Sequence, residues 1–154
     1  MIDKFGQNED DKDYDRVVGY CTSILTNCPA SVRLSALKIE YLLLANKLKE
    51  ANTFSNDLIK DPEMGVVPLL MSWRGRVMIY SGSDVNGKKM LQEALRRDPD
   101  LVDAMKAMKM IKTATAAKEE AGALFKDGKL EEAIAAFDHC LTLDPLNLTY
   151  NATI

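Results

Sequence analysis

Carboxylate, imidazole and thiol stand together once in this chain, at Asp138-His139-Cys140, which is the composition of a cysteine nucleophile with its base and orienting acid. The spacing argues against that chemistry. Such groups have to converge from separate elements, whereas neighbouring residues of a helix point about 100° apart. Other reactive sets fail similarly. The acidic run from Glu9 to Asp13 lacks the glycine and the spacing of a calcium loop and reads as a solvated terminus. Gly82-Ser83-Asp84-Val85-Asn86-Gly87-Lys88 has the glycines and lysine of a phosphate loop, but neither a preceding strand nor the Gly-Lys-Ser/Thr ending, and reads as a hairpin turn. Cys21, Cys28 and Cys140 are odd in number and unclustered, which suits free thiols in a reducing compartment better than metal or redox work. No catalysis, metal or cofactor is expected.

What remains is a chain built to bind with its surface. Net charge is −3 over 154 residues, so there is no electrostatic footprint for nucleic acid or an anionic membrane. No apolar run approaches 18 residues and no signal-peptide pattern opens the sequence. The chain reads as soluble, not exported and cytoplasmic, with the nucleus also open to it. Eight methionines against 6% aromatic residues favour packed helices over a sheet sandwich.

The elements repeat. Leu-x-x-(Asp or Cys)-Pro occurs at Leu25–Pro29, Leu58–Pro62, Leu95–Pro99 and Leu141–Pro145, and the prolines are 33, 37 and 46 residues apart, the period of a helical-hairpin array. Val17, Gly87 and Ala133 stand eight residues before the closing leucines, and Ala51 stands seven before Leu58, so two helices are expected to approach closely there. Gly82 and Gly128 lie 13 residues before Leu95 and Leu141, where a left-handed cap ends the first helix of a hairpin; Asn46 is the matching position in the second segment. Helices are expected at 13–27, 31–46, 48–60, 67–81, 84–97, 100–127 and 130–143, with no strand; any helix within residues 1–12 should be short or frayed.

The interval from Pro99 to Pro145 is the long one. Between Asp100 and Asp127 there is no proline, and Leu101, Met105, Met108, Ile111, Ala121, Leu124 and Phe125 can line one apolar stripe. One helix of about 40 Å is expected, at 1.5 Å per residue. Its first half would cap the third hairpin and its second half would open the fourth.

The run Lys118-Glu119-Glu120-Ala121-Gly122-Ala123-Leu124-Phe125-Lys126-Asp127-Gly128-Lys129-Leu130-Glu131-Glu132-Ala133-Ile134, followed by Phe137, Leu141 and Asp144-Pro145, resembles a tetratricopeptide repeat. Gly75, Gly82, Gly87, Ala94 and Pro99 keep the same register, with Gly87 where the pattern has alanine. The first two segments match less closely. The resemblance implies an all-α, right-handed superhelical solenoid: the end of a first array with its capping helix over 1–113, with hairpins near 1–29, 30–62 and 63–99, and the first repeat of a second array over 114–154.

The order of features, including Asp13-Tyr14-Asp15-Arg16-Val17-Val18, resembles the middle of the DnaJ-type co-chaperones that carry two such arrays. That likeness implies a fragment that binds heat-shock chaperones of the seventy- and ninety-kilodalton classes and helps client transfer and folding. No His-Pro-Asp motif of a J-domain is present in the sequence. The family's carboxylate clamp begins with Lys, matched by Lys118, and continues with Asn, where this chain has Gly122; the later clamp positions lie beyond Ile154. Arg33, Ala36, Glu40 and Leu43 in the second segment, and Leu69, Ser72, Trp73, Arg76, Ile79 and Tyr80 in the third, are expected to face the groove, with Lys126 as a further candidate. Arg76 and Tyr80, four apart, can receive an acidic or aromatic peptide. A scaffold role in a larger assembly is the alternative. The apolar faces of Phe137, Leu141, Leu143 and Ile154 are expected to need cover, which end-to-end self-association can supply.

Overall fold

A computed structural model describes residues 9–144, and every long element in it is a helix. The order is α1 (Glu9–Asn27), α2 (Val32–Leu44), α3 (Leu48–Lys60), a single 3-10 turn (Met64–Val66), α4 (Pro68–Tyr80), α5 (Asp84–Arg97), α6 (Val102–Lys126) and α7 (Leu130–Leu143). Among the described residues there is no strand, and no helix is long and apolar enough to cross a membrane. Pro29, Pro62 and Pro99 each stand two residues beyond a helix end, where the missing N–H costs nothing. Pro145 and the chain that follows it lie outside the described residues. The first helix is longer than the sequence suggested: α1 starts at Glu9 and takes in the acidic run.

Three hairpin turns use one backbone device. Asn46, Gly82 and Gly128 adopt φ of 60°, 94° and 79°, the left-handed region. Asn46 N–H bonds the Leu43 carbonyl at 3.1 Å and Lys47 N–H the Leu42 carbonyl at 2.8 Å. The same pair recurs from Gly82 to Ile79 (3.0 Å) and Ser83 to Met78 (2.8 Å), and from Gly128 to Phe125 (3.1 Å) and Lys129 to Leu124 (3.0 Å). These are Schellman caps, which satisfy the last carbonyls of a helix and reverse the chain. The positions are those expected from the sequence.

The molecule forms two compact units that divide between Ala104 and Met105. In the first, α1 packs on α2, α3 on α4 and α4 most extensively on α5, while α2 also packs on α4, two helices further along. Ile39, Leu42, Leu43, Ala51, Leu70, Val77, Leu91 and Ala94 are its buried core. The α4–α5 crossing is backbone on backbone: a Cβ on Gly87 would lie 2.6 Å from the Gly75 carbonyl oxygen, and one on Gly75 would lie 2.8 Å from that of Gly87. The close approach expected at this register is therefore real. It also explains why glycine replaces alanine at 87.

In the second unit, Ala114 of α6 packs on Cys140 of α7, with Ala117 and Leu143 against them. The buried positions of α6 are Ala104, Ala107, Ile111, Ala114 and Ala121. Two members of the expected stripe are thus misplaced: Met105 is 44% exposed and Phe125 59% exposed. Alanines take the inward positions because a small side chain lets a neighbouring helix lie close, which a ranking by hydrophobic size overlooks. Phe137, expected to need outside cover, is buried, and Leu143 is partly so. Ile154 and the side chain of Leu141 lie outside what the structure describes.

Candidate protein-binding surface

The repeated caps give a common register for the first helix of each hairpin. Ten residues before the left-handed residue stand Ala36, Ser72 and Lys118; six before stand Glu40, Arg76 and Gly122; two before stand Leu44, Tyr80 and Lys126. The six-before position therefore reads acid, base and no side chain along the chain.

On α4 the candidates form a cluster. Arg76 places its guanidinium carbon 4.7 Å from the Trp73 ring centroid and 5.7 Å from that of Tyr80. Its Nη2 and Nε donate to the Tyr80 hydroxyl at 2.9 and 3.2 Å. All three lie on the α4 face set by steps of three and four residues. Trp73 is half-buried against Ala36, Met64 and Leu70, and Arg76 is likewise half-buried, so cation and indole form an oriented ledge.

Tyr80 requires a correction. Its ring is 1% exposed and belongs to the core, so it props Arg76 through its hydroxyl and offers no ring to a ligand. Ser72 and Ile79, and on α2 Ala36 and Leu43, are also buried and do not line a free surface. They were expected to face the groove because the register was right; burial by adjacent helices could not be read from one segment alone. Arg33 is exposed and Glu40 half-buried.

On α6, Lys118 and Lys126 are exposed. Lys126 sits in the last turn, where a cation interacts well with the helix dipole. Burial pushes the Cys140 thiol pKa up, and the Lys118 charge works against that rise. At Gly122 an added Cβ meets nothing within 4 Å, so no packing demand excludes a side chain there. His139 is exposed while Cys140 is buried, and the imidazole lies beside the Thr142 hydroxyl at 3.4 Å. Among the described residues no three His, Cys, Asp or Glu side chains gather as metal ligands.

Arg74 escaped the sequence reading. Its Nη1 donates to the Asn52 carbonyl (3.2 Å), the Asn52 side-chain oxygen (2.7 Å) and the Ser55 hydroxyl (3.0 Å), tying α4 to α3. Burial lowers its pKa, and Asn52 and Ser55 meet it with neutral oxygens. No signal in the sequence links residues about twenty positions apart on different helices.

The chain is similar to proteins named DnaJ homolog subfamily C member 7. It is 29% identical over 111 residues to the Schizosaccharomyces pombe homolog, covering 72% of this chain and 23% of that protein. It is 27% identical over 143 residues to the Homo sapiens protein, covering 93% and 28%. The Dictyostelium discoideum homolog is 21% identical over 132 residues, covering 86% and 24%. The chain thus spans about a quarter of the length of these relatives. No protein-family model matches it, and no solved structure matches it significantly. The resemblance to the DnaJ-type co-chaperones drawn from the sequence is the one these relatives carry in their names.

Proposed function

We propose that this chain is a non-catalytic protein-binding stretch of a DnaJ-type co-chaperone, engaging heat-shock chaperones of the seventy- and ninety-kilodalton classes in the cytoplasm or nucleus and aiding client transfer. The observation that carries this reading is the likeness to the human relative across 93% of the chain. The repeated hairpin register supports it, together with the packing of α2 on α4. On this reading the helices continue a right-handed superhelix. A first array then ends near residue 113 and a second begins at 114.

The geometry favours a mixed peptide surface over a carboxylate clamp. Glu40 and Arg76 occupy equivalent positions with opposite charge, and the position where the clamp wants Asn holds Gly122. An acidic tail alone meets only part of what it needs, whereas a peptide carrying acidic and apolar groups suits the Arg76–Trp73 ledge. The test is biolayer interferometry of the chain against purified chaperones of each class, intact and without their last four residues. Binding should survive loss of the tail and weaken by about 1–2 kcal/mol in Arg76→Glu, the range of a significant interface residue. If neither chaperone binds the chain or its full-length parent, the scaffold alternative takes over.

A further inference from the structure

Among the described residues, α6 carries a cationic surface that the proposed function does not use. From Ala104 to Lys118 there are four lysines and no carboxylate, in a chain whose net charge is −3, so everything outside this stretch sums to −7. Lys106, Lys109 and Lys112 are exposed. At about 100° per residue they share a sector of α6 roughly 120° wide with Met105, Thr113 and Ala116. The opposite side of the same segment is the buried seam of Ala107, Ile111 and Ala114.

Two features separate this sector from an ordinary solvated face. First, several cations elsewhere have a carboxylate partner: Arg96 and Arg97 on Glu93, Arg16 on Asp13, Lys47 on Asp15. Lys109 and Lys112 have no carboxylate three or four residues away in either direction, and they are one turn apart, so they repel each other. Second, Met105 is 44% exposed within the sector, and lysine stems extend its apolar surface. The Thr113 hydroxyl is spent on the Lys109 carbonyl at 2.9 Å.

We propose that the outward sector of α6 from Met105 to Ala116 docks an acidic amphipathic helical segment of a partner protein. Carboxylates at helical spacing would neutralise Lys106, Lys109 and Lys112, and an apolar side chain between them would cover Met105. A short segment keeps its charges within about 8 Å of the lysines, a Debye length at physiological salt. A long polyanion would also meet the field of an otherwise acidic chain. The proposal is independent of the function proposed for the α4 ledge.

The test is an NMR titration of the isotopically labelled chain with a synthetic peptide of roughly 14 residues, or four turns, bearing Glu and Leu at helical spacing. Saturable shifts confined to residues 105–116 are expected. The affinity should fall at least about tenfold between low and high salt, because the contacts are exposed. A similar loss is expected in Lys109→Glu/Lys112→Glu, and a smaller one in Lys109→Gln/Lys112→Gln, each with unchanged circular dichroism. Shifts elsewhere, no saturation, or equal binding of a scrambled peptide of the same charge would overturn the proposal. So would duplex DNA or phosphatidylserine vesicles binding as tightly at the same salt, since that marks a bare polycation.

Discussion

Gly87→Ala puts a methyl group 2.6 Å from the Gly75 carbonyl oxygen in a crossing with no room to give. It is expected to lower stability by about 1–3 kcal/mol, the range for overpacking, as measured by urea denaturation. Gly122→Ala meets open space in mid-helix and should instead raise stability by about 0.5–1 kcal/mol in the same assay. A second residue-scale prediction concerns Glu93, whose carboxyl is brought from 4.5 down to about 2 by hydrogen bonds from Arg96 first and Arg97 next. Its pKa is depressed in the folded state, so its contribution is complete above the ordinary carboxylate range and is lost as pH falls through about 2. A carbon-13 titration of Glu93 should show that midpoint, and Arg96→Ala should move it upward. At this scale the sequence was half legible. Arg76 beside Tyr80 followed from spacing on one helix, whereas the burial of the Tyr80 ring and the reach of Arg74 to Asn52 depend on neighbours from other segments.

The helices themselves were written in turn chemistry. Proline after each second helix and a left-handed residue after each first one fixed their ends, and α3, α5 and α7 begin and finish where the spacing puts them. Asn46 is the weak member of the three caps, since it carries a side chain in a conformation that glycine adopts freely. Asn46→Gly should stabilise the protein and Asn46→Ala destabilise it by about 1 kcal/mol, read as opposite shifts in thermal midpoint. The inward face of α6 was the part misread, because alanines marked it and larger apolar residues drew attention to Met105 and Phe125. Helix position also sorts the thiols. Burial pushes the thiols of Cys21 and Cys140 up, while Cys28 is exposed just past the end of α1. Brief alkylation of the native protein should therefore modify Cys28 ahead of the other two, with mass mapping as the check.

For the molecule as a whole, the period of the prolines carried the all-helical reading, and residue runs such as Asp13 to Val18 and Lys118 to Ile134 carried the likeness to co-chaperones, because both are local patterns along the chain. The proposed binding surface was less legible, since a groove is lined by whatever adjacent hairpins leave uncovered, and that is decided by packing between segments. Emission and dichroism see different parts of this protein. Its sole indole, Trp73, touches the cluster of Ala36, Met64 and Leu70, within the unit that ends at Ala104. Intrinsic emission thus reports on that unit, while far-ultraviolet dichroism sums over every helix. Melts followed by the two signals will superimpose only if the chain unfolds as one cooperative block, so a single cuvette distinguishes concerted from stepwise loss of structure.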